Sequence, residues 1–159
     1  MKQLTFRRFG TVIPRGKALA LCLALCALEL GFAWSAHGAT FTTFDVPGAW
    51  WTMPSSINPA GAITGSYLSD VWHGFLRAPD GALTTFDVPG STSTSAGSIN
   101  PAGAIIGGYN DVSGGFHGFL RAPDGAFTTF AVPGAPWTLP SSINPAGAIA
   151  GYYMSESYH

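Results

Sequence analysis

FTTFDVPGAWWTMPSSINPAGAITGSYLSDVWHGFLRAPDGA, Phe41 to Ala82, is a block that this chain repeats. The second copy runs from Leu83 to Ala126, and the third from Phe127 to His159, where its block is still incomplete. The blocks open at Phe41, Leu83 and Phe127, steps of 42 and 44 positions. A period in the range of about 20–50 residues marks a repeat architecture, in which each unit is one supersecondary element completed by its neighbours.

Within one block, four short pieces have strand patterning. In FTTFDV, Phe44 and Val46 fall on one face and Thr43 and Asp45 on the other, the alternation of a half-buried strand, and Pro47-Gly48 ends it. The second and third pieces flank Ser56-Ile57-Asn58-Pro59-Ala60-Gly61-Ala62-Ile63, which returns unchanged at 98–105 and 142–149. Asn binding locally to the backbone, Pro with its fixed φ and Gly at positive φ make this a turn. Beyond it, Ile63, Gly65 and Tyr67 share a face, and a glycine at a fixed place in a strand points to close approach of another backbone. The fourth piece, His73-Gly74-Phe75-Leu76-Arg77, returns at 117–121. Both copies lead through Ala-Pro-Asp-Gly-Ala into the next block, a hairpin signal that pairs the fourth piece with the first piece of the following block. Four antiparallel strands in this length match a β-propeller blade. The expected fold is therefore all-β: a propeller-like array of four-stranded blades, about two and three-quarter of them. Such an arc leaves open strand edges and is expected to self-associate.

The first 39 residues differ from the rest. Lys2, Arg7, Arg8, Arg15 and Lys17 precede the apolar run Ala18–Leu28, and Ser35-Ala36-His37-Gly38-Ala39 supplies small residues at its end. Basic, apolar and small segments in that order read as a secretory signal peptide with a helical apolar part, removed after Gly38 or Ala39. The alternative is an uncleaved anchor, but the run is short against a span of about 20 residues, and Glu29 interrupts it. The domain division is 1–39 as leader and 40–159 as the β-repeat domain (41–82, 83–126 and 127–159). The expected location is secreted, periplasmic or cell-surface.

Removal of the leader changes the chemistry. Both cysteines, Cys22 and Cys26, lie in it, so the mature chain has no disulfide or thiolate site. From Thr40 onward Arg77 and Arg121 face seven carboxylates: Asp45, Asp70, Asp80, Asp87, Asp111, Asp124 and Glu156. The whole-chain charge of −1 hides that acidity. It argues against nucleic acid or an anionic membrane surface as partner.

No nucleophile elbow, phosphate-binding loop or dinucleotide fingerprint is present, and no enzyme activity or cofactor is expected. His73, His117 and His159 occupy equivalent places. Imidazoles on a ring could bind zinc, but repeat-related positions stand well apart, and zinc needs its nitrogens at about 2.1 Å. The plainer reading is a structural histidine bonded to a neighbouring backbone carbonyl, with no metal. Asp70 and Asp111, with Glu156 near the equivalent place, offer one carboxylate per loop, too few for the six to eight oxygens of a calcium site. Arg77 and Arg121 lie on the strand face of the histidines and are expected to pair with Asp45 or Asp87, substrate binding being the alternative.

The copies differ most between their first two strands: GAWWTMP at 48–54, GSTSTSA at 90–96 and GAPWTLP at 134–140. Variable aromatic loops on a constant frame are where binding resides. Exposed Trp50, Trp51 and Trp137 would suit a sugar ring or a protein hot spot; alternatively they cover the open end of the core.

The INPAGAI turn, the Gly-x-Tyr strand, HGFLR and TTFDVPGA, in that order, resemble the HAF-type extracellular repeats of bacteria. The name refers to a His-Ala-Phe triplet, here His73-Gly74-Phe75 and His117-Gly118-Phe119. The resemblance covers everything after the leader and implies export and a propeller-like β fold. It brings no activity, substrate or catalytic residue. The functional expectation is an exported, non-enzymatic module for surface interaction or structure, binding an unidentified protein or polysaccharide. The alternative is a lectin-like domain using the loop tryptophans.

Overall fold

The computed structural model describes residues 3–7 and 39–155. Every regular element among them is a strand. β1 (Gln3–Arg7) and β2 (Thr40–Phe44) form a two-stranded sheet. The expected leader helix otherwise falls outside the described residues, as does His159. One four-stranded sheet contains β3 (Trp51–Ile57), β4 (Ile63–Leu68), β5 (Trp72–Arg77) and β6 (Leu83–Phe86), in chain order and antiparallel throughout. The next four strands repeat that order: β7 (Ser93–Ile99), β8 (Ile105–Asn110), β9 (Phe116–Arg121) and β10 (Phe127–Phe130). β11 (Trp137–Ile143) and β12 (Ile149–Met154) form a hairpin joined to this second sheet by a single parallel pairing, Trp137 with Phe116.

The hairpin expected at Ala-Pro-Asp-Gly-Ala forms: Arg77 pairs with Leu83 and Arg121 with Phe127. Each sheet thus straddles a block boundary, taking its fourth strand from the next block. The invariant turn closes as its chemistry dictates. Asn58 Oδ1 accepts the Ala62 N–H at 3.0 Å, and the Asn58 N–H donates to the Ala62 carbonyl at 2.9 Å.

A bulge breaks the register in each leading strand, between Pro54 and Ser56, Ala96 and Ser98, and Pro140 and Ser142. It drives a carbonyl toward the facing glycine. A Cβ on Gly65 would sit 2.1 Å from the Met53 carbonyl oxygen, and one on Gly107 2.0 Å from that of Ser95. This is the close approach read from the sequence. The glycine of the His-Gly-Phe triplet has another cause. Gly74 lies across from Phe86, whose ring would be 2.3 Å from any Cβ there, and Gly118 stands in the same relation to Phe130.

The core repeats with the sequence. Phe44, Val46, Ile63, Tyr67 and Phe75 pack together, and so do Phe86, Val88, Ile105, Tyr109 and Phe119. Phe75 and Phe119 are fully buried, each stabilising the fold by about 1.5–3 kcal/mol relative to exposure. On the other face of the first sheet, β7 lies against β3, β4 and β5, and β11 is placed likewise against β7, β8 and β9. Ser66 reaches across this junction. Its hydroxyl accepts the Ala96 N–H at 3.1 Å, a direct bond between the two sheets.

Candidate functional site

The loops that differ between copies are held by a residue that does not. Thr52, Thr94 and Thr138 are buried, and their hydroxyls accept the backbone N–H of Val46, Val88 and Val132 at 3.0, 3.0 and 2.9 Å. Each bond spans the loop from one strand to the next, so the residues between can vary without loss of the frame. Around this anchor Trp50 is 75 % exposed and Trp51 and Trp137 are each 47 % exposed. The Trp50 backbone is fixed by donating to the Leu68 carbonyl at 2.7 Å. The Trp137 ring rests beside Phe116, centroids 6.1 Å apart. The expectation that these indoles cover the core end does not describe Trp50, whose side chain stands largely in solvent.

In the second copy the same loop is polar and bonded to the neighbouring strand. Thr92 N–H donates to the Asn110 carbonyl at 2.8 Å and Ser93 Oγ to Asn110 Oδ1 at 2.9 Å. Repeat equivalence therefore places indoles at the starts of β3 and β11 and a hydroxyl-rich loop at the start of β7, on the strand that packs against both.

The histidines sit beside carboxylates, not the backbone carbonyls expected from sequence. His73 Nδ1 is 2.9 Å from both oxygens of Asp87, and its Nε2 is 3.3 Å from Asp70 Oδ1. Burial of the ring disfavours its cation, but the bonds to Asp87 and Asp70 outweigh that, and its pKa is raised above the ordinary value. Asp70 is held well below the usual carboxylate range by the Ser69 hydroxyl and then by His73. His117 Nε2 lies 2.7 Å from Asp111 Oδ2, while Asp111 Oδ1 accepts from Ser113 Oγ and from the N–H groups of Ser113 and Gly115. Those bonds, the Ser113 hydroxyl first, lower its pKa far below normal. Asp111 thereby closes its own turn.

One difference between the pairs follows from one substitution. Ala131 occupies the third-copy place of Asp87, and His117 Nδ1 is buried without a hydrogen-bond partner. A shallow pocket of about 230 Å³ brings Ser91 and Ser93 near His73 and Asp87. Both nitrogens of His73 are already engaged by carboxylates, which leaves none to take a proton from a serine. Among the described residues no group of three His, Cys, Asp or Glu side chains is arranged to hold a metal ion.

Arg77 and Arg121 do not pair with Asp45 or Asp87 as expected. Their guanidinium groups lie over the Phe44 and Phe86 rings, 5.1 and 5.0 Å from the centroids. Each arginine thus lies over a phenylalanine of the first strand in its own block, one block before its hairpin partner, while Asp87 is drawn to His73. Delocalised charge over a π face is favourable and less costly to desolvate than an ammonium would be.

A second set of bonds, absent from the sequence reading, links successive units. Asn58 Nδ2 donates to the Asn100 carbonyl at 3.3 Å, and Asn100 Nδ2 to the Asn144 carbonyl at 3.4 Å. The same asparagine therefore closes its own turn and ties it to the next one.

Comparison of the chain with protein-family models, curated proteins and solved structures finds no match.

Proposed function

We propose that this chain is an exported, non-enzymatic β-repeat module of the HAF type, with propeller-like blades, that works by interaction at the cell surface or beyond it. The observation that carries this reading is the division of labour within each repeat. The polar residues common to the copies, Thr, Asn and the His-Asp pairs, are bonded into the frame, whereas the aromatic residues that vary stand exposed at Trp50, Trp51 and Trp137. Binding surfaces of repeat frames are built this way, with loop side chains free to differ on a fixed scaffold. Export rests on the leader at 1–39, with cleavage after Gly38 or Ala39. Mass spectrometry of the extracellular or periplasmic fraction tests it: the expected N-terminus is Ala39 or Thr40, and a soluble cytoplasmic species retaining Met1 would count against export.

The exposure of Trp50 favours one more specific reading, a carbohydrate ligand. An indole face in solvent is a platform for the apolar face of a sugar ring. A polysaccharide panel should then quench the tryptophan fluorescence, and Trp51→Ala or Trp137→Ala should reduce the response. A protein partner would leave the panel silent while the interaction reading stands.

A further inference from the structure

In the first two repeats a strand of His-Gly-Phe-Leu-Arg covers the strand bearing Gly-x-Tyr, and three of its side chains anchor it. His73 stacks on Tyr67 with centroids 5.0 Å apart, Phe75 faces Gly65 and meets the Phe44 ring edge-on at 5.9 Å, and Arg77 lies over Phe44. His117 on Tyr109, Phe119 facing Gly107 against Phe86, and Arg121 over Phe86 repeat the set. The third repeat presents the same acceptors: Tyr153, Gly151 and Phe130. Together with Val132 and Ile149 they border an open apolar pocket of about 340 Å³. Ile149 is 37 % exposed where Ile63 and Ile105 are 3 % and 0 %, and Tyr153 is 57 % exposed. Among the described residues no strand pairs with the outer edge of β12.

We propose that this pocket and the β12 edge take up an extended segment of the His-Gly-Phe-Leu-Arg pattern. The segment pairs antiparallel with β12, its Phe opposite Gly151 and entering the pocket, its His over Tyr153 and its Arg over Phe130. Main-chain bonds along the edge supply affinity, and the phenylalanine pocket supplies selectivity, as in other strand additions. The occupant is identified by the chain itself, which shows twice what closes this arrangement. A generic apolar peptide lacks the spacing that sets the Phe and Arg in register.

The test uses the full chain and a fluorescein-labelled peptide with the sequence of Trp72 to Ala78, followed by anisotropy. Saturable binding is expected, weakened at least about tenfold when the peptide Phe is replaced by Ala, because the burial of that ring is lost. Ile149→Lys, which sets a charge in the pocket, should abolish uptake, and Val112→Ala, at an exposed loop position outside the pocket lining, should leave it unchanged. Should Ile149→Lys fail to fold by circular dichroism, the peptide series alone decides. No binding, equal binding of the Phe→Ala peptide, or a stable dimer in sedimentation that the peptide does not displace would overturn the proposal.

Discussion

Ala131→Asp should make this protein more stable, although most substitutions do the opposite. In the preceding repeat the equivalent position is Asp87, whose two oxygens lie 2.9 Å from His73 Nδ1. At Ala131 no carboxylate exists, and His117 Nδ1 is buried without a partner. A hydrogen bond to a charged group contributes about 1.5–3 kcal/mol net, and an exposed ion pair about 0–1 kcal/mol. Asp87 is 49 % exposed, which places the expected gain near the lower figures, about 1 kcal/mol. For a domain of this size that is roughly 4 °C in melting temperature. Urea unfolding followed by tryptophan fluorescence near pH 6 measures it, with Ala131→Asn as the variant that retains shape but not charge. The reasoning fails if Ala131→Asp is neutral or destabilising while the fold is retained, for then the orphaned nitrogen costs nothing that a carboxylate can recover.

Other outcomes follow from the same geometry. The raised pKa of His73 means that its stabilisation is complete below the unfolded value of about 6.5 and is lost as pH rises through the higher folded value; Asp87→Ala should flatten that part of the stability–pH curve. Gly74→Ala should destabilise by about 1–3 kcal/mol through overpacking against the buried Phe86 ring, and Gly118→Ala by less, because Phe130 is only half-buried and can swing aside; denaturant midpoints rank the two. Asn100→Ala should cost about 1–3 kcal/mol, since it leaves the Ala104 amide without its acceptor and severs the link to Asn144. Asn144→Ala, at an exposed position, should cost less in the same assay.

Much of the frame was legible because its signals are local. The period, the Asn-Pro-Ala-Gly turn, the Pro-Asp-Gly hairpin and the side-by-side packing of Phe44 and Val46 all depend on residues close in sequence, and each has the expected place. The bonds that tie Asn58 to Asn100 and Asn100 to Asn144 cross 42 and 44 positions, and no local propensity encodes them. Thr52, Thr94 and Thr138 left a usable signal, an invariant residue in the middle of divergent loops, but their role depends on a buried amide that only the folded chain creates. The Arg–Asp pairing was misread because charge alone suggested it. His73 competes for Asp87, and each arginine lies over an aromatic ring instead. At the candidate site the identity of the tryptophans could be read from their variation between copies, whereas their exposure could not.

The interaction reading is tested most directly by replacing Trp50, Trp51 and Trp137 together with alanine and measuring two quantities on the same preparation. These are the urea midpoint and the binding of the labelled chain to the surface of the producing cells. The account predicts a cooperative transition with a modestly lowered midpoint, because Trp50 stands in solvent while Trp51 and Trp137 are about half exposed, with loss of most surface binding. A collapsed midpoint, or binding that persists in a folded triple variant, would contradict it.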